Sequence, residues 1–231
     1  MHLRIKVVLA VVVALGCFCC RAALAASPDD LKSVLDRLNV AAAKFHSSAA
    51  DVESDDVTTE PIYDKDVFNG VVYYDRKGTA FRMGVHFNRH DNRASTKAYT
   101  FVGGVLKLHE AGSGQETTYP QAAKYESYVM LGFGASGNDL EVKWDIKLLG
   151  WETIDGVRTA ELELVAKDPA VRKNIPKVTA WVDPDRAVNL KEVLTLSATS
   201  SKTYLFSNFK LNQSLPGDAF TFAAENKADK H

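Results

Sequence analysis

Cysteine is absent from this chain after residue 20. The 231-residue sequence has three cysteines, Cys17, Cys19 and Cys20. If the segment that holds them is removed on export, the rest of the protein can form neither a disulfide nor a thiolate metal site. A domain of about 200 residues without disulfides must be held together by its apolar core, and it is long enough to form one.

The sequence also lacks an excess of basic charge and, after its first segment, any long apolar run. It has 28 lysines and arginines against 29 acidic residues, and loss of Arg4, Lys6 and Arg21 would leave 25 against 29. This mildly negative balance argues against nucleic acid as a partner. No later segment is long and apolar enough to suggest a membrane span.

The first 25 residues have the three parts of a secretory signal peptide. Arg4 and Lys6 give a basic start, an apolar run extends from Val7 to about Cys20, and small residues at positions 23 and 25 precede Ala26. We therefore expect a soluble, exported protein that begins near Ala26.

Acylation of Cys17 is the alternative, and it would tether the protein to a membrane. The usual acylation signal has a large aliphatic residue three positions before the cysteine and a small residue two positions before it. Here Ala14 and Leu15 stand in the opposite order. The simpler interpretation of the three cysteines is apolar filler in a discarded segment.

Sequence patterns that accompany catalysis or metal binding are scarce. There is no HExxH zinc motif and no GxSxG nucleophile elbow. His86 and His90 are four residues apart, but their segment alternates as a strand and runs into a polar loop, so we expect no metal site. Residues 132–137 formally match GxGxxG, which binds nucleotides only within a parallel βαβ unit. We expect neither an enzyme nor a cofactor, and we interpret these glycines as a flexible loop that can act as a hinge.

An amphipathic helix is predicted at the start of the exported chain. Ser27 is its expected N-cap and Pro28 its first residue, and apolar residues recur at helical spacing from Leu31 to Phe45.

From about residue 49 the apolar period changes to two, which is typical of strands. Apolar segments alternate with turn residues such as Asp155-Gly156. Consecutive strands with short connections indicate an antiparallel meander, and about ten such strands curl strongly. Helical interruptions are expected at 119–132 and 168–175.

Several of these strands are apolar on more than one face. Phe81, Met83 and Val85 alternate with Arg82 and Gly84, while residues 71–74 are apolar in succession. One face can cover a core. The other either packs in the core as well or faces an apolar ligand.

Five stretches carry a family resemblance, at 29–53, 68–83, 98–110, 144–168 and 215–222. They contain a leucine-rich helix followed by Phe-His, a strand that begins with glycine, an arginine at a turn, and an aromatic-apolar strand. In this order and spacing the chain resembles the LolA family of periplasmic lipoprotein carriers. The resemblance covers most of the chain after residue 25.

The resemblance implies a single α+β domain over residues 26–231. Its fold would be an incomplete antiparallel β-barrel, a strongly curled sheet, with the N-terminal amphipathic helix and short helices forming a lid over an apolar cavity. By position, Arg76 would hold the lid, although Lys77 stands where the family has proline. The expected cavity residues are Leu35, Leu38, Phe81, Met83, Val85, Phe101 and Trp144.

The function that the resemblance implies is transport of acylated lipoproteins through the periplasm. An inner-membrane donor complex would load the carrier and an outer-membrane acceptor would unload it. We expect a monomer whose lid moves at the first helix and at residues 128–140. Two alternatives stay open: a carrier or sensor of another lipid or glycolipid on the same fold, and a domain whose apolar faces are all ordinary core.

Overall fold

The computed structural model describes residues 30–78, 80–110 and 113–222. The predicted signal peptide, the alternative acylation at Cys17, and Ser27 with Pro28 lie outside the described residues. Helix α1 (Leu31–Ala42) has Asp30 as its N-cap, because the Asp30 side chain accepts a hydrogen bond from the Ser33 N–H at 2.8 Å. The described helix thus has its N-cap three residues after the expected one.

The described chain then forms eleven strands, with short helices at three places. The helices are a 3-10 helix (Ala122–Tyr125), α2 (Glu126–Val129), α3 (Gly137–Lys143) and α4 (Pro169–Asn174). The strands are β1 (Ser47–Thr58), β2 (Asp64–Lys77), β3 (Ala80–His90), β4 (Arg93–Val102), β5 (Val105–Glu110), β6 (Gln115–Tyr119), β7 (Trp144–Ile154), β8 (Val157–Ala166), β9 (Lys177–Asp183), β10 (Val188–Thr195) and β11 (Ser200–Leu211).

All eleven strands belong to one antiparallel sheet with the order β6-β5-β4-β3-β2-β1-β11-β10-β9-β8-β7. The first and last strands pair in its middle, so β6 and β7 are its edges. The two edges do not pair, and the barrel is incomplete. The predicted fold class, an α+β incomplete antiparallel barrel with short helices, is confirmed.

Two elements differ from the sequence-based prediction. Strand β6 was missed because its sequence, QETTY, is polar and mostly exposed at the sheet edge. Helix α3 lies outside the two helical interruptions expected from the sequence. Ser136 and Asp139 form a capping box that starts this helix, so β7 begins only at Trp144.

The buried apolar residues form two clusters on the sheet. The helix-side cluster joins α1 and α3 to β8, β9 and β10, and its members include Leu35, Leu38, Leu131, Leu140, Trp144, Leu162, Leu164 and Leu194. The aromatic cluster lies on β1 to β4 and β11, and its largest members are Phe45, Phe68, Tyr74, Phe81, Phe87, Phe101, Phe133 and Phe206. Helices thus cover the half of the sheet around β8 to β10. The half around β1 to β4 is covered mainly by aromatic side chains of its own strands.

The stretch 215–222, which resembles the closing segment of the family, covers the opposite face of β3. The absence of a side chain at Gly84 lets the backbone of Ala219 approach closely. The Arg82 guanidinium lies 4.3 Å from the centroid of the Phe220 ring, and the ring of Phe222 stacks on His109. The polar face of β3 is therefore occupied by the chain itself.

Residues 131–134, which we call the anchor loop, connect α2 to α3 and are packed tightly. Gly132 and Gly134 adopt φ angles of +77° and +75°, which favour glycine. A Cβ at Gly132 would lie 1.9 Å from Cγ of Asn189, and one at Gly134 would lie 2.3 Å from the ring of Phe45. The glycines that the sequence suggested as a hinge are required here by close packing.

Replacing Gly132 by alanine should cost more stability than replacing Gly156. Both have φ near +77°, but a Cβ at Gly156 meets no atom within 4 Å. We expect a loss of about 1–2 kcal/mol for Gly156→Ala from backbone strain alone. For Gly132→Ala we expect about 1–3 kcal/mol more from the collision. Urea unfolding of both variants measures the difference, and equal losses would contradict the packing role.

Candidate binding cavity

A cavity of about 370 Å³ lies between the sheet and the segment that connects β6 to β7. Its volume is in the range of roughly 300–1,000 Å³ that is usual for small-molecule sites. Most of its walls are apolar or aromatic. The lining residues from the sheet include Val72, Tyr74, Met83, Val85, Phe87, Tyr99, Phe101, Leu194, Tyr204 and Phe206, and those from the connecting segment are Ala122, Tyr125, Tyr128, Val129 and Leu131.

The strand register explains why one wall is continuously apolar. Val85 pairs with Val72 on one side and with Tyr99 on the other, while Met83 pairs with Tyr74 and Phe101. Side chains that are directly opposite each other share a face of the sheet. The alternating apolar residues of β3 therefore extend across β2 and β4 as one surface.

The roof of the cavity is thin, because it consists of the 3-10 helix and the single turn of α2. Neither Tyr125 nor Tyr128 is fully buried, and α2 has no fully buried residue. The amide of Asn174, at the end of α4, donates a hydrogen bond to the Tyr125 hydroxyl. A roof of so few turns has little packing of its own to hold it closed.

The structure brings Met83, Val85 and Phe101 together in the cavity wall, but four other predicted residues lie elsewhere. Phe81 shares their face of β3, yet it is buried between the rings of Tyr74 and Phe101 and is not part of the lining.

Leu35, Leu38 and Trp144 all lie in the helix-side cluster and do not line the cavity. The reason is that α1 packs against α3 rather than over β3, and Gly137 lies directly against the backbone of Leu35. The expectation that the first helix lines the cavity is corrected accordingly.

Arg76 lies at the end of β2 and contacts the anchor loop. Its Nη1 donates a hydrogen bond to the carbonyl oxygen of Gly134 at 2.9 Å. A second, longer hydrogen bond runs from its Nε to the Gly78 carbonyl at 3.4 Å. A charged donor on the sheet thus binds the chain segment that carries the roof.

One acidic side chain, Glu192 of β10, was not predicted from sequence and lines this cavity. It is only 5% exposed. Burial raises the pKa of its carboxyl to about 8, while hydrogen bonds from Asn189 and Tyr128 oppose the rise. At neutral pH the group is therefore mainly an uncharged acid. The sequence does contain one sign of this position. Glu192 lies two and four residues before Leu194 and Leu196, so on a strand it shares their apolar face.

Asn189 connects Glu192 to the anchor loop. Its Nδ2 donates to Oε2 of Glu192 at 3.0 Å and to the Leu131 carbonyl at 3.4 Å. Its Oδ1 is buried and has no hydrogen-bond partner. Burial also holds the pKa of Tyr128 well above its usual value. A small polar cluster thus sits where the roof meets β10.

Away from the cavity, His90 lies at the end of β3 rather than in a solvated loop. Its Nε2 is 2.7 Å from Oδ1 of Asp66, its ring stacks on Phe68, and Asp91 completes a group of three metal-compatible side chains. His86 faces the C-terminal stretch, and burial lowers its pKa. The absence of a metal site stays a prediction.

No helix among residues 30–78, 80–110 and 113–222 has the length and apolar character needed to cross a membrane. No protein-family model and no curated protein sequence matches the chain.

Solved structures do resemble this one. A chain of the MucA/MucB complex of Pseudomonas aeruginosa matches with 14% identity and a TM-score of 0.52, over 84% of this chain and 62% of that chain. A LolA superfamily protein of Nitrosomonas europaea matches with 17% identity and a TM-score of 0.42, over 84% and 99%.

The open antiparallel sheet with short helices that the sequence resemblance implied is confirmed as an architecture. At these identities the likeness shows architecture alone. This chain also spans only about six tenths of the matched MucA/MucB chain, so what a whole relative does is not transferred with the fold.

The buried carboxyl of Glu192 makes stability fall as pH rises. Between its ordinary pKa of 4.5 and the folded value of about 8, the folded protein binds one more proton at this site than the unfolded chain. The penalty grows by about 1.4 kcal/mol per pH unit, to roughly 5 kcal/mol.

We expect Glu192→Gln to remove this component, so that the variant gains stability relative to the wild type as pH rises from 5 to about 8. Urea unfolding of both proteins across that range measures the difference. A difference that does not change with pH would contradict a buried neutral acid.

Proposed function

We propose that this protein is a carrier that shields the acyl chains of lipoproteins in its cavity and moves them through the periplasm. Each methylene group hidden from water contributes about 0.8 kcal/mol, so one long acyl chain faces a barrier on the order of 10 kcal/mol to free diffusion. A soluble carrier must supply a replacement apolar surface. The wall formed by Met83, Val85 and Phe101 is such a surface.

The observation that carries the proposal is the open volume itself. Protein cores are packed to nearly crystalline density and leave few voids larger than a water molecule. A cavity of about 370 Å³ between apolar walls is much larger than that. The alternative of ordinary core therefore fits this region poorly. Met83 suits a binding role because its unbranched thioether adapts to chains of different shape.

The lid of the proposed carrier is the short roof, and its latch is Arg76. Cargo enters and leaves only if the 3-10 helix and α2 move away from the sheet. The bond from Arg76 to the Gly134 carbonyl holds the base of this segment. We infer that loading weakens this contact, because chains beneath the roof must lift the residues next to it.

The proposed route begins with export by the N-terminal signal peptide. In the periplasm an inner-membrane donor complex would pass lipoproteins to the carrier, and an outer-membrane acceptor would receive them. The carrier would act as a monomer without chemistry or cofactor, so any energy for transfer would enter through its membrane partners.

A second candidate function is a lipid-responsive regulatory protein on the same fold. The observation that favours it is the match to the MucA/MucB complex, in which a similar fold has a protein partner. Identifying the cargo separates the two functions, because a general carrier binds many acylated proteins and a sensor binds one kind of lipid.

Filling the cavity should block the binding of an acyl probe. We expect Val85→Trp to weaken binding of a fluorescent fatty acid at least tenfold, because the indole occupies the space that the chain needs. Leu205→Trp is the matched control, since Leu205 is 39% exposed and lies between the lining residues Tyr204 and Phe206. Equal affinity of the two variants, with both folded, would place the probe outside this cavity.

Removing the latch should loosen the anchor loop. Arg76→Gln shortens the side chain and removes its charge, so the Gly134 carbonyl loses its charged donor, an interaction worth about 1.5–3 kcal/mol. We expect faster hydrogen exchange at the amides of 131–136 and faster release of a bound acyl probe. Arg76→Lys should give an intermediate rate. If exchange is unchanged in Arg76→Gln, the contact is not a latch.

A further inference from the structure

Glu192 is an unusual component of an acyl cavity. A hydrocarbon chain gains nothing from a carboxyl group, and burying such a group costs free energy unless its hydrogen bonds are made. Glu192 nevertheless lines the space beside Leu194, Tyr128 and Tyr204. Its position within the cavity therefore points to a polar group on the ligand.

The hydrogen-bond partners of Glu192 are an amide, which donates to it, and a phenol, which can donate or accept. Asn189 offers Nδ2 at 3.0 Å, and Tyr128 offers its phenol hydroxyl. A neutral carboxylic acid and a phenol that face each other hold two O–H protons, and the hydrogen bond between them uses one, whichever group donates. The other proton needs a further acceptor. The amide nitrogen of Asn189 cannot accept it, and Oδ1 of the same amide is itself buried without a partner.

Ionic pairing does not account for Glu192 either. Lys202 lines the same cavity, but its ammonium group is paired with the Asp56 carboxylate. Three tyrosines interact electrostatically with Glu192, one each from β2, α2 and β11: Tyr74, Tyr128 and Tyr204. Besides the Asn189 amide, the acid thus has phenols and apolar groups around it.

We propose that Glu192 forms a polar subsite inside the acyl cavity, where its O–H donates a hydrogen bond to the carbonyl oxygen that joins an acyl chain to its head group. This inference rests on the proposed acyl-carrier function and adds the part of the cargo that is recognised. Asn189 and Tyr128 position the carboxyl by donating to it. The carbonyl satisfies the remaining proton, which an apolar chain alone leaves unpaired.

The subsite predicts which acyl compounds bind best. Sites built to hydrogen-bond a polar group discriminate against analogues that lack it, because the buried group of the protein is then left unpaired. An ester or an amide offers the carbonyl, and an ether of the same length does not. Ester-linked and amide-linked acyl groups share this chemistry, and the comparison below separates them.

The test measures displacement of a fluorescent fatty acid by methyl palmitate, N-methyl palmitamide and methyl hexadecyl ether. For the wild-type protein we expect the better carbonyl compound to bind roughly 3- to 10-fold more tightly than the ether, as expected for one hydrogen bond. Glu192→Leu should bind all three alike. Glu192→Gln keeps an N–H donor and should retain part of the preference.

Each outcome bears on a different claim. A stronger effect of the ester or of the amide identifies the linkage that the subsite reads. Equal binding of ester, amide and ether by the wild-type protein would overturn the subsite and leave the acyl carrier intact, and this comparison decides even if Glu192→Leu does not fold. A preference that persists in a folded Glu192→Leu variant would also overturn the role of Glu192. Failure of all three to bind would reject the proposed function itself.

Discussion

The seating of the anchor loop on the start of β10 is the constraint on which the arrangement of the cavity depends. The Asn189 N–H donates to the Gly132 carbonyl at 2.8 Å, and the Gly134 N–H donates to the Ala187 carbonyl at 2.9 Å. Phe133, between them, is buried against Tyr74 with ring centroids 3.7 Å apart. Because the loop is fixed here, the preceding 3-10 helix and α2 must lie over the concave face.

The two halves of the sheet then differ in what covers them. On the side of β8 to β10, α1 and α3 fill the concave face and form a closed core. On the side of β2 to β4, only the short roof crosses a broad apolar surface. The cavity is the space left under the thinner cover. The Arg76 contact and the polar cluster of Asn189 and Glu192 both lie where the two halves meet.

The sequence was most informative about the residues whose chemistry repeats with a simple period. Alternation along β3 identified Met83 and Val85, and turn residues gave most strand boundaries. It could not show that α1 turns Leu35 and Leu38 away from the cavity, because any packed amphipathic helix has the same pattern. Gly132 and Gly134 stood out in sequence, but only the contacts with Asn189 and Phe45 explain them. Glu192 was missed because burial of a carboxyl depends on which strands and lid residues surround it.

Photo-crosslinking from position 83 tests whether the cavity holds acyl chains. A photoreactive amino acid would replace Met83 in the cavity wall, and a second protein would carry it at Leu205 on the other face of the sheet. In cells that export the protein, we expect adducts of acyl-bearing molecules at position 83 and none at 205, with mass spectrometry identifying what was captured. A folded, exported protein that yields no acyl adduct at 83, or the same adducts at both positions, would contradict the claim that the cavity holds acyl chains.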